Sequence, residues 1–115
     1  MIEGCEVTRG GHSWLERRFR QICVAHRLPR PQTQQLLASS NDELVRVDLR
    51  FPGTGVVGEV LGYRWHRGDR KQLSRDVERI NALIRGGYQP LQFTYDHVTL
   101  DEAWVVSQLL EALGL

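Results

Sequence analysis

Two acids and a histidine in the middle of the chain, Asp48, Glu59 and His66, have the types and spacing of a phosphate-processing centre. Asp48 lies in Val45-Arg46-Val47-Asp48-Leu49-Arg50, whose apolar/polar alternation is the period of a strand with one buried face. Phe51-Pro52-Gly53-Thr54-Gly55 is punctuated as a turn, after which Val56, Val57, Val60 and Leu61 form a second apolar run with Glu59 inside it. A carboxylate in such a run is costly to desolvate unless a cation or hydrogen-bond donors meet it. If the strands pair as a hairpin, Asp48 and Glu59 come together on one face. Two carboxylates with waters and a substrate phosphate suit Mg²⁺, a hard ion that keeps several waters. It would polarise a phosphoryl oxygen and activate an attacking water, with His66 placed to carry a proton. The plainer alternative is a solvated face on which Arg46 and Arg50 neutralise the two acids.

The elements that must position these groups follow from periodicity and punctuation. Ser13-Trp14-Leu15-Glu16 has capping-box spacing, and Leu15, Phe19, Ile22, Cys23 and His26 recur at helical spacing, which predicts a helix over 13–27. Glu16 is explained by capping alone; its second role would be to lean toward the carboxylate pair and orient water. Residues 1–12, with Gly4, Gly10 and Gly11, read as a loose lead-in or linker remnant before a single domain at 13–115. Pro29 and Pro31 end the helix, and 32–38 reads as a glutamine-rich edge strand.

Beyond the strand pair, a second helix is expected from Asp69 or Arg70, with Leu73, Val77, Ile80 and Ile84 as its apolar stripe and Gly86-Gly87 as its stop. The face carrying Arg75, Asp76, Glu78 and Arg79 reads as a solvated, salt-bridged surface. Tyr88, Leu91, Phe93 and Tyr95 suggest a fourth strand, with Pro90 hinting at an edge. Thr99 to Glu102 is another capping box before a final helix through Trp104, Val105, Leu109, Leu110 and Leu113. Helix, three strands, helix, strand and helix make an α/β (α+β) fold, a mixed sheet with helices packed on it. His12, His26 and His97 show no metal-ligand spacing, and Trp14 and Trp104 read as core. Trp65, between Arg64 and His66, suits a base or phosphate contact.

Composition narrows the partners without choosing one. A chain of 115 residues with 41% apolar and 25% charged content is one ordinary globular domain. No apolar run nears a membrane span and no signal-peptide pattern opens the chain, so a cytoplasmic protein is expected. Cys5 and Cys23 are too few for a disulfide framework, and Cys23 falls on an apolar helix face as a buried thiol. Net charge is +1, yet residues 1–71 hold 12 Lys/Arg against 8 Asp/Glu and residues 72–115 hold 3 against 6. Of the 15 basic residues 14 are arginine, the side chain suited to bidentate phosphate contacts. A nucleic-acid footprint and a GC-rich genome both account for that bias.

Taken in order, these segments resemble the PD-(D/E)XK nuclease superfamily, and within it the small domains related to the very-short-patch-repair endonuclease. The resemblance rests on Asp48, on Glu59 in an apolar strand, and on Gly62-Tyr63-Arg64-Trp65-His66. It extends to Ser13/Glu16, Leu28-Pro29-Arg30-Pro31, Arg75-Asp76 with Arg79, and Gly87-Tyr88 leading to Phe93-Thr94, so it covers about residues 13–113. It implies a restriction-endonuclease-like core with a four-stranded mixed sheet, and hydrolysis of DNA phosphodiesters with Mg²⁺ or Mn²⁺. Asp48 and Glu59 would hold the metal, while His66 and Glu16 would match further catalytic positions. Arg64, Trp65, Arg67, Arg70, Lys71 and Arg75 would hold the nucleic acid. Two residues after Glu59 the family carries an acid or lysine; here Leu61 can neither bind metal nor orient water. A binding module on a catalytically degenerate nuclease fold, serving a larger regulator or toxin–antitoxin protein, is the alternative. A homodimer, or further domains in a longer chain, would fit the same resemblance.

Overall fold

The structure is a computed structural model; it describes residues 4–38, 44–61 and 70–115, with side chains from Trp14 onward. The elements are α1 (Gly4–Ala25), β1 (Gln32–Ala38), β2 (Leu44–Arg50), β3 (Val56–Leu61), α2 (Arg70–Arg85), β4 (Gln89–Thr94), α3 (Tyr95–Leu100) and α4 (Glu102–Leu113). The strands form one sheet in the order β1-β2-β3-β4. β1, β2 and β3 pair antiparallel, and β4 joins β3 in parallel through α2. This is the α+β class anticipated, a four-stranded mixed sheet flanked by helices. Among the described residues no helix is long and apolar enough to cross a membrane.

Each face of the sheet carries its own core. Leu15, Phe19, Ile22 and Cys23 of α1 pack with Leu49, Val56, Val60 and Phe93 of the strands and with Val98, Val105 and Leu109 of α3 and α4. On the other face Leu37, Val45, Val47 and Val57 meet Leu83 of α2. The α1 stripe follows the helical period read from sequence. His26, expected on that face, is exposed and bonds Glu102 at 2.6 Å; Arg18 reaches the same carboxylate at 2.9 Å. At its C-terminal end the Leu28 amide bonds the Cys23 carbonyl at 2.8 Å while Arg27 takes a positive φ of 57°. That is a Schellman stop with arginine at the left-handed position.

Three boundaries differ from expectation. α1 begins at Gly4, so residues 4–12 are helical and Ser13 lies inside the helix. A Ser-x-x-Glu spacing marks a start only when the glutamate reaches back to the backbone; Glu16 is buried and bonded elsewhere. β4 stops at Thr94, and Tyr95 opens the short α3, because the Thr94 hydroxyl and His97 form a capping box there. The Thr94 N–H donates to His97 Nδ1 at 3.1 Å and the His97 N–H donates to Thr94 Oγ1 at 3.1 Å. α4 is then capped by Asp101, whose carboxylate accepts from the Trp104 amide at 3.2 Å, and not by Thr99.

The largest correction concerns α2. Leu73, Val77 and Ile84 of its expected apolar stripe are exposed, whereas Asp76, Ala82 and Leu83 are buried. The helix is turned so that Gln72, Asp76, Arg79 and Leu83 face inward, in place of the solvated surface expected for Asp76 and Arg79. The reason is electrostatic: Glu59 is only 7% exposed, and a carboxylate so placed requires a cation. Arg79 supplies it.

Candidate functional site

The site grows out of an irregularity in the sheet. β1 and β2 pair in register from Gln32↔Arg50 to Ala38↔Leu44, but the step that would match Gln34 with Asp48 is missing. Gln34 has a φ of +53°, the left-handed region that L side chains rarely adopt. Val45 and Val47 pack on the α2 face, whereas Leu49, two residues on, packs on the α1 face. The register is the same before and after the gap, so no residue is inserted there; the left-handed backbone at Gln34 marks where the ladder lapses. Asp48 sits at that break.

On its other side β2 meets β3 through Leu49↔Gly58 and Arg50↔Val57, and one step further along the two strands come Asp48 and Glu59. There the Asp48 carboxylate, through Oδ2, accepts the Val60 amide at 3.0 Å. The hairpin reading of the two acids therefore holds as to their strands.

Glu59 is held from α2 and β4. Arg79 donates to both its carboxylate oxygens, at 2.9 Å to Oε1 and in a second, shorter contact to Oε2; Gln92 donates to Oε1 at 3.3 Å. Arg79 also lies 3.8 Å from Asp76, which Gln72 bonds at 3.0 Å. Burial opposes the charge on Arg79. The Glu59 hydrogen bonds and charge, with Asp76 and Asp48, outweigh that and lift its pKa above the ordinary arginine value. Arg46 and Arg50, the partners proposed in the plainer alternative, do not reach Glu59: Arg46 bonds Gln34, and Arg50 Nε is buried with no hydrogen-bond partner among the described residues.

Glu16 enters from α1. It is buried, accepts from Gln34 Nε2 at 2.5 Å, and has a pKa raised to about 7. Desolvation is the main cause and the nearby Asp48 charge the second, against weaker opposing effects of Gln34, Arg46 and Arg20. Because the folded-state pKa lies above the unfolded one, the folded chain holds this proton more tightly. The resulting stabilisation is complete below about pH 4.5 and is lost as pH rises toward 7. Glu16→Gln, which keeps an acceptor oxygen for Gln34, should match wild type at pH 4 and exceed it by about 2 kcal/mol at pH 8, less than the full shift corresponds to because solvent screens part of the charge. Urea melts at the two pH values measure this; an equal offset at both would show that Glu16 does not titrate.

The predicted site residues thus divide. Asp48 and Glu16 lie close enough for the Asp48 charge to raise the Glu16 pKa, whereas Glu59, on the strand beside Asp48, is turned to Arg79 of α2. Arg70, Lys71 and Arg75 lie on the first turns of α2, with Arg70, Lys71 and Arg75 all solvent-facing. Arg64, Trp65, His66 and Arg67 fall outside the described residues. Arg79, Gln34 and Gln92 complete the site and were not singled out for it; the signal was present in a buried acid that required a cation and in the Arg75-Asp76-Arg79 pattern. Trp14, expected in the core, is 43% exposed and stacks on Tyr95.

The oxygen donors are those a Mg²⁺ or Mn²⁺ ion prefers. Both Glu59 oxygens engage Arg79, and among the described residues no group of three His, Cys, Asp or Glu side chains is placed to hold an ion.

The chain is similar to two proteins of Mycobacterium tuberculosis, one from strain CDC 1551 / Oshkosh and one from strain ATCC 25618 / H37Rv, each described as an uncharacterized protein. Identity is 26% over 101 residues, which is 88% of this chain and 37% of each relative, so the chain spans little more than a third of their length. No family model and no solved structure matches it.

Proposed function

We propose that this domain is a nucleic-acid-binding module on a nuclease-like core, in which Arg79 occupies the place where a hydrolytic relative would carry its metal ion. The observation that carries this reading is the two-pronged Arg79–Glu59 contact. Leu61, with neither charge nor donor where the resemblance calls for an acid or lysine, points the same way. Arg70, Lys71 and Arg75 stand exposed on the helix that carries Arg79, and their charges attract phosphates.

One observation favours hydrolysis of DNA phosphodiesters at the same place. Glu16 keeps its proton close to neutral pH beside Asp48, and a carboxyl group so poised can donate or accept a proton in a reaction.

The test measures DNA binding against salt, and cleavage of supercoiled and single-stranded DNA with Mg²⁺ or Mn²⁺. Wild type, Asp48→Ala and Glu59→Ala are compared. The binding-module reading expects salt-sensitive binding and no cleavage. Cleavage by wild type that both variants lose would establish a metal-dependent nuclease in its place.

A further inference from the structure

A second basic surface lies outside the acidic site. The C-terminal half of α1 and the extended segment after it form an open groove of about 640 Å³ lined by Arg17, Arg20, Gln21 and Arg30, with Val24 and Pro31 as apolar wall. All three arginines are exposed. Among the described residues no acid lines the groove, and none of the three arginines is in an ion pair with a described acid. Exposed arginine guanidinium groups around one concave surface, with no described acid in its lining, are matched by an anion with several acceptor oxygens.

The groove also has two sides. Arg17 and Arg20 are three residues apart, hence neighbours on one helix face separated by roughly 4.5 Å along the axis. Arg30, on the extended segment after the helix, closes the other side, so a run of phosphates laid in the groove meets guanidinium groups from both walls. The apolar wall suits sugar and base surface beside the phosphates, which a free inorganic anion would not use.

We propose that the Arg17–Arg20–Arg30 groove is a phosphodiester-backbone site that seats nucleic acid. The proposal rests on the nucleic-acid reading above and assigns it a second, separate contact surface.

The test uses the full chain with fluorescent single-stranded and duplex oligonucleotides, titrated at salt between about 50 and 300 mM. Arg17→Gln/Arg20→Gln/Arg30→Gln is compared with wild type and with Arg70→Gln/Lys71→Gln/Arg75→Gln. All three proteins are first checked for the same urea midpoint, which surface glutamines should preserve. The groove variant should bind at least tenfold more weakly. Its log K against log[salt] slope should fall by about 2–3, close to 0.7–0.9 for each phosphate that an arginine no longer neutralises. Unchanged affinity and slope in the groove variant, with weaker binding by the α2 variant, overturns the groove and leaves the nucleic-acid reading standing. No binding by wild type overturns both. A polyglutamate peptide that binds wild type as tightly as the oligonucleotides would also overturn the proposal, by making the groove an acidic-peptide site.

Discussion

Arg79→Ala should destabilise the domain by about 3 kcal/mol or more, the cost of leaving a buried carboxylate without its counter-charge. Glu59 is 7% exposed, and Arg79 donates to both its oxygens while standing near Asp76 as well. Removing the guanidinium leaves Glu59 and Asp76 in low dielectric with only Gln92 and Gln72 to bond them. The destabilisation is chiefly desolvation and like-charge repulsion, so it should be recovered by removing the acid as well. Arg79→Met with Glu59→Leu should regain most of the stability, since apolar pairs of similar volume replace buried ion pairs at little cost. Urea denaturation of the single and double variants gives the coupling directly. A change below about 0.5 kcal/mol for Arg79→Ala would mean that the pair behaves as a surface salt bridge.

Phe93→Ala should cost about 3–5 kcal/mol. Phe93 is 1% exposed and stands where three layers meet. Its ring lies 5.1 Å from Phe19 of α1 in a tilted pair and 6.0 Å from Trp104 of α4 edge-on. Truncation opens a cavity bounded by two helices and the sheet, which cannot all close in together, so the cost falls in the range for buried aromatics. The fall in urea midpoint at unchanged slope is the measurement. A small effect would mean that α4 collapses onto the sheet to fill the gap.

How much of this was legible in the sequence depends on which interaction decided each element. β1, β2 and β3 lie where composition and punctuation place them, although the alternation of β2 does not mark a single buried face, since Val45 and Val47 pack with α2 and Leu49 with α1. The pairing of Asp48 with Glu59 on neighbouring strands was legible from the same signals. α2 was not, since its most periodic apolar residues, Leu73, Val77 and Ile84, point outward. One buried acid on β3 overrode that stripe and drew Arg79 inward, with Asp76 of the same helix face beside it, a long-range demand that no window of local sequence contains. Gln34 escaped notice for a related reason: its left-handed backbone is imposed by a lapse in pairing with Asp48, and glutamine carries no turn preference that announces it. The start of α1 was misplaced because a capping-box spacing is short enough to recur inside a helix.

The two outer strands of the sheet also bear on how the domain meets other chains. β4 carries Pro90, which has no N–H to offer along the strand, and β1 is bent at Gln34 by its positive φ. An uninterrupted row of amides and carbonyls at a sheet margin is a template on which another chain can add itself, the route to fibrous assembly. Here both margins are interrupted, one by chemistry and the other by conformation. Growth of the sheet from copy to copy is thereby disfavoured at each end.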